Sequence, residues 1–182
     1  MQGFALAVQS MWERQLRNYL IVCADEQTSV GVTSKVLRGA KWPELQSHFL
    51  RLRGVTLNTF PSYGDLDLLQ VLGNACRHGD GGSAKALFRR CPDIRDEGLR
   101  PSKSLWRTEE QRQPSNPEFE RVTIPALLLE QLVLSVIWFW EDQELVFVNS
   151  EPGDLHARIG SAQKCLERRK ERVRVWPRPV PT

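Results

Sequence analysis

Thr123-Ile-Pro-Ala-Leu-Leu-Leu-Glu-Gln-Leu-Val-Leu-Ser-Val-Ile-Trp-Phe-Trp140 is the strongest helical stretch in the chain, and its reading decides the fold class. It is apolar nearly all round, which predicts a helix in the middle of a bundle rather than one lying on a surface. Glu130 and Gln131 interrupt it and Glu141-Asp142 follow it. Ile124 to Trp140 therefore reads as a buried core helix and not as a membrane span, which needs about 20 predominantly apolar residues. Beyond it, Leu145-Val-Phe-Val-Asn149 either extends the core or forms a lone strand.

Working outward, the next informative stretch is Asp65-Leu-Asp-Leu-Leu-Gln-Val-Leu-Gly-Asn-Ala-Cys-Arg-His-Gly79. At about 100° per residue, Leu68, Leu69, Leu72, Ala75 and Cys76 share one side, and Asp67, Gln70, Asn74, Arg77 and His78 form a polar strip opposite. Asp65 is placed to cap this helix and Gly79 to end it. Phe4 to Ala24 repeats Phe4, Val8, Met11, Trp12, Tyr19, Leu20 and Cys23 at helical spacing without Gly or Pro, so it predicts a long opening helix. Trp42-Pro43-Glu44 opens another helix that Gly54 terminates, with Leu45, Phe49 and Leu52 as its apolar face. Between these two, Val30-Gly-Val-Thr33 is a weak strand signal or part of a loop. Ser83 can cap a short helix over Ala84 to Arg90, and Asp154 a last one from Leu155 to about Arg172.

The expectation is an all-α helical bundle of four to five helices over residues 1–150, carrying a long, charged, irregular surface excursion at 93–121. Residues 151–182 form a basic helix and a Pro-rich tail. The helix offers only Leu155, Ile159, Ala162 and Leu166 as an apolar face, so it is expected to dock loosely at best.

Length, 182 residues, suits one domain, and 41% hydrophobic residues suffice for a core. The net charge of +3 is too mild to argue for nucleic acid by itself. Arg168-Arg-Lys-Glu-Arg-Val-Arg174 concentrates the basic character, either to track a phosphate backbone or as a solvated helix face interrupted by Glu167 and Glu171. Cys23, Cys76, Cys91 and Cys165 form no Cys-x-x-Cys pair and no metal-ligand spacing, so no metal or cofactor is expected, and a reduced, cytoplasmic protein is. The N-terminus carries no signal-peptide pattern, and no membrane association is expected.

Asn74 and His78 lie one turn apart on one face, so an amide and an imidazole can address one substrate atom, with Arg77 beside them. An imidazole titrates near neutral pH and can move a proton. Equally, the three residues can simply end a helix, where Arg77 suits the dipole. Asp80-Gly-Gly-Ser83 can be a plain turn or a cradle for a phosphate at the next helix N-terminus, although it lacks the Lys-Ser/Thr of a P-loop. Trp138-Phe-Trp140 reads as core or a dimer face rather than a base-stacking platform. His48 and His156 read as structural and surface residues.

Asn74-Ala-Cys-Arg-His78 at a helix end, in a helical chain of this length, resembles the HEPN superfamily of helical-bundle proteins. Many members carry Arg, a polar residue (often Asn), three further residues and His. Asn74 and His78 match that pattern, whereas Gly73 stands at the Arg position. The resemblance implies a metal-independent endoribonuclease acting through the RNA 2′-hydroxyl at a site composed across a homodimer. His78 would be general acid/base, Asn74 the phosphate-positioning group, and Arg77, or Arg14 or Arg17 from the first helix, the guanidinium. Gly79, Asp80 and Ser83 would line the substrate. It also implies toxin–antitoxin or phage-defence roles with a cognate antitoxin or defence partner, or an inactive relative that dimerises or binds RNA.

Overall fold

The computed structural model describes residues 1–98, 118–150 and 155–180, and within them the chain is all-helical. Eight α-helices occur among these residues: α1 (Gln2–Glu26), α2 (Ser34–Gly39), α3 (Trp42–Arg53), α4 (Tyr63–His78), α5 (Gly82–Arg90), α6 (Pro92–Gly98), α7 (Ala126–Ser150) and α8 (Leu155–Glu171). The excess over the sequence-based expectation comes chiefly from short pieces. α2 follows the Val30–Thr33 stretch, where no helix is expected, and α6 occupies the start of the charged excursion, whose residues 99–117 lie outside the described ones. Val30 belongs to a single helical turn, Thr28–Val30, and not to a strand. The 145–149 stretch continues α7.

Local chemistry accounts for several boundaries. Thr33 Oγ1 accepts the Val36 N–H at 3.4 Å and starts α2. The Glu44 carboxylate reaches back to the Lys41 N–H at 2.6 Å, while Gly54, at φ 70°, turns its N–H onto Leu50 O at 2.8 Å and stops α3 in the left-handed conformation that glycine adopts freely. Gly79 ends α4 with its N–H on Ala75 O at 2.8 Å, but at φ 62° and ψ −137°, outside the left-handed helical region and open to glycine for want of a Cβ. Two expected caps move. α4 begins after Ser62, three residues further back than an Asp65 cap allows, and α5 begins after Gly81 rather than Ser83.

The hub of the fold is α4, not α7. α4 packs against α1, α5 and α7 at once, and Leu66, Leu68, Leu69, Leu72 and Ala75 are buried among them. α7 lies on the other side of the core, between α4, α1 and α8, and leaves Leu127 and Ile137 exposed. Its apolar composition overstated its burial because part of its surface, at Leu127 and Ile137, is left exposed to solvent. The middle of the core is aromatic: Phe139 sits 4.7 Å from Trp12 and 4.8 Å from Phe60 between ring centroids, and Phe49 and Trp140 close the cluster. Each such fully buried ring contributes about 1.5–3 kcal/mol of transfer free energy. Trp138-Phe-Trp140 is thus mainly core material, with Phe139 buried and Trp140 edge-on to Trp12 and Tyr19. On α1 the buried line is Ala5, Val8, Trp12, Leu16, Leu20 and Cys23, which leaves Phe4 and Met11 of the expected stripe in solvent. No helix among the described residues is long and apolar enough to cross a membrane.

Candidate functional site

The polar strip of α4 does not face water as a unit. Gln70 is buried and accepts a hydrogen bond from Gln9 Nε2 of α1 at 2.8 Å, and the same Gln9 amide also donates to Glu13 at 2.7 Å. Arg77 donates to Asn74 Oδ1 at 3.3 Å, to Ser10 Oγ at 3.2 Å and to Gln9 Oε1. Asp67 points the other way, accepting from Trp42 Nε1 at 2.9 Å and pairing with the buried Arg90 at 2.7 Å. The strip is therefore largely an interhelix seam, in which an amide that would be costly to bury alone finds partners on the neighbouring helix.

Gly73 explains how the seam closes. A Cβ at this position would fall 2.5 Å from Gln9 Cγ and 2.9 Å from Gln9 Cβ, so α1 can approach α4 this closely only over a glycine. The residue that departs from the HEPN pattern is thus a contact point of the fold. An arginine there would have to push α1 away.

The other candidates are placed as follows. His78 is exposed, at the last turn of α4, and no hydrogen bond reaches it among the described residues; none joins it to Asn74, which is half-buried and engaged by Arg77. Arg17 donates to the carbonyls of Leu37, Arg38 (3.2 Å) and Ala40 (2.9 Å) and pairs with Glu13 at 2.7 Å, so its guanidinium caps the C-terminus of α2 instead of standing free for a substrate. Arg14 is exposed, with no partner among the described residues. Asp80 accepts the Phe119 N–H at 2.7 Å and so fastens the returning chain beside the end of α4. Ser83 is half-buried in the first turn of α5. Asn74, Arg77 and Gly73 are brought together; Arg17 reaches them only through Glu13 and Gln9, and among the described residues no hydrogen bond joins His78 or Arg14 to them. His48 is half-buried on α3, its Nδ1 without a partner, and the His156 side chain lies outside the described residues.

A second polar system, unforeseen in the sequence, lies where the C-terminal segment meets the bundle. Asp65, 2% exposed, is held by a fork from Arg174, whose two terminal nitrogens lie 2.7 and 2.9 Å from its two oxygens. Ser135 (2.8 Å) and Gln131 (3.1 Å) of α7 also donate to Asp65, and Gln131 Oε1 accepts the Val175 N–H at 3.0 Å. Further along α7, Asp142, 0% exposed, accepts from Arg169 at 2.7 Å and from both terminal nitrogens of Arg172 at 2.8 and 3.0 Å. Burial works against the charge on Arg172, but hydrogen bonds to Asp142 and Glu141 outweigh it, raising its pKa above the ordinary value. Arg172 also covers the face of Trp138 at 5.7 Å. The far end of the tail is anchored by the Val180 N–H on Arg90 O at 3.0 Å, with Trp176 packed on the core.

The segment expected to dock loosely is instead fastened by ion pairs, and Arg169, Arg172 and Arg174 are taken from any phosphate-tracking surface. A sequence signal for this existed. Gln131, Ser135 and Asp142 fall within about 40° of one another around an otherwise apolar helix, a polar line that has to be met by something polar.

The four cysteines are unpaired thiols, and Cys91, buried between Arg90 and Asp93, is pushed up to about 11 chiefly by loss of solvent. Among the described residues no cluster of His, Cys, Asp or Glu is arranged to hold a metal ion. Comparison of the chain with protein-family models, with curated proteins and with solved structures finds no match.

Proposed function

We propose that the chain is a non-catalytic helical module, HEPN-like in its bundle, that works by dimerising or by binding RNA in a toxin–antitoxin or phage-defence setting. The observation that carries this reading is the contact of Gly73 with Gln9. The place where the resembling enzymes keep an arginine is filled by another helix, and Asn74 and Arg77 are engaged in the same seam. With Gly73 covered by Gln9, no guanidinium can stand at that place to stabilise the charge of a pentacovalent intermediate, and that electrostatic term is usually the largest in such catalysis.

One observation favours the ribonuclease reading instead. His78 is exposed and uncommitted, as a general acid/base has to be before substrate binds. Incubating purified protein with total RNA in EDTA, alongside His78→Ala, separates the two. The module reading expects no cleavage above the mutant's background. Cleavage that disappears in His78→Ala overturns it and establishes the enzyme.

A further inference from the structure

The Asp65 groove has the properties of a peptide-recognition site. Its walls are organised within the bundle: Gln131 donates to Ser135 at 3.1 Å, and both donate to Asp65. What fills it is the irregular segment after α8, bent at Val175–Trp176 and read at successive points. Arg174 enters the carboxylate, the Val175 N–H meets the Gln131 amide, Trp176 packs on apolar surface, and the Val180 N–H reaches the Arg90 carbonyl at the end of α5. Pro177 and Pro179 restrict the backbone after that bend, which lowers the entropy lost on docking. A buried carboxylate left without its cation is strongly disfavoured, so the groove calls for an arginine-bearing strand whichever chain supplies it.

We propose that this groove also takes the Arg172–Val180 segment of a second copy of the chain, so that two copies join by exchanging their C-terminal segments. The inference rests on the dimerising part of the reading above and names the surface responsible. Charge complementarity selects the occupant, because the segment that fits is the chain's own. Every contact made within one copy can be made identically between two, so exchange costs little and is governed by concentration. A second feature lies on the same arm. Ile159, Leu166 and Val173, spaced by seven, are all exposed along the outer side of α8 and its exit. One apolar residue per heptad is too thin a seam to hold two chains alone, since a coiled coil uses two. Beside an exchanged tail it has a counterpart on the other copy.

The test uses the full-length chain and a fluorescent synthetic peptide of residues 172–182. Full-length Arg174→Ala, whose own tail no longer fills the groove, is expected to bind this peptide at least tenfold more tightly than the wild-type chain does. The peptide bearing Arg174→Ala should bind neither. Mixing full-length Asp65→Asn (tail intact) with full-length Arg174→Ala (groove intact) should produce a heterodimer in native mass spectrometry that neither variant forms alone. Should a variant lose its helical circular dichroism, hydrogen exchange on the wild type decides. Excess peptide is expected to speed exchange at residues 173–180 and leave α4 and α7 unchanged, and no change there overturns the proposal. Failure of the peptide to bind a folded Arg174→Ala chain overturns tail exchange. If wild-type dimers persist in that case, the dimerising reading survives by another surface. A wild-type chain that stays monomeric at every concentration overturns both.

Discussion

The α1–α4 seam and the C-terminal clamp are both polar, and they are built in opposite ways. At Gly73 the helices come close because a side chain is missing, and neutral amides fill the contact. At Asp65 and Asp142 the elements are held by full charges buried on one side and supplied from the tail on the other. The first is a steric fit that tolerates little added volume. The second tolerates shape changes but not the loss of one partner, because a buried ion that loses its counter-ion keeps its desolvation cost.

The hardest way to break this contrast is at the clamp. Asp142→Ala takes away the carboxylate that Arg169 and Arg172 share and is expected to cost about 3 kcal/mol in urea unfolding, the low end of the range for one partner removed from a buried pair, because Arg172 keeps Glu141 and Arg169 is partly exposed. A loss below about 1 kcal/mol would show that the clamp is solvated and the contrast mistaken. At the seam, Gly73→Ala should destabilise by about 1–3 kcal/mol through overpacking, even though Gly to Ala within a helix ordinarily stabilises by up to about 1 kcal/mol. Adding Gln9→Gly should recover part of that loss, and the double-mutant coupling measures the contact directly.

Alkaline titration tests the ground between the two systems, where Cys91 follows Arg90 at the tail's far anchor. The folded thiol is raised to about 11 from an ordinary value near 9. Above pH 9 the unfolded chain therefore loses this proton first and binds fewer protons than the folded one. Stability should be intact below pH 9 and fall by up to about 1.4 kcal/mol per pH unit as pH climbs toward 11, with Cys91→Ala flattening the slope. The smallest effect belongs to Arg77→Ala. This side chain is exposed, so the seam should lose no more than about 1 kcal/mol, and a larger loss would move the seam toward the charged kind of contact.

Much of the fold is legible without the structure. The helices around Trp12, Phe49, Leu69 and Phe139 follow from apolar spacing and composition, and Gly54 and Gly79 end theirs because a positive φ is cheap only for glycine. The start of α4 is not legible in the same way. Asp65 is a good capping type, but in the structure it lies inside the helix with its carboxylate on Arg174, 109 positions away, a partner that local sequence does not show. The candidate site was legible as a cluster and not as a role. The same Asn74, Arg77 and His78 pattern describes a wet catalytic face or a seam, and only the neighbouring helix distinguishes them.

What the sequence determined by itself is the helical state of the chain, because helix formation depends on side-chain spacing and backbone preference within a few turns. Tertiary structure alone decided which polar groups meet. Gln9 covers Gly73, and the tail arginines find Asp65 and Asp142, because those encounters depend on how whole helices rotate and cross one another. The residues at either end of each contact look the same in the sequence whether the partner is water, RNA or another helix.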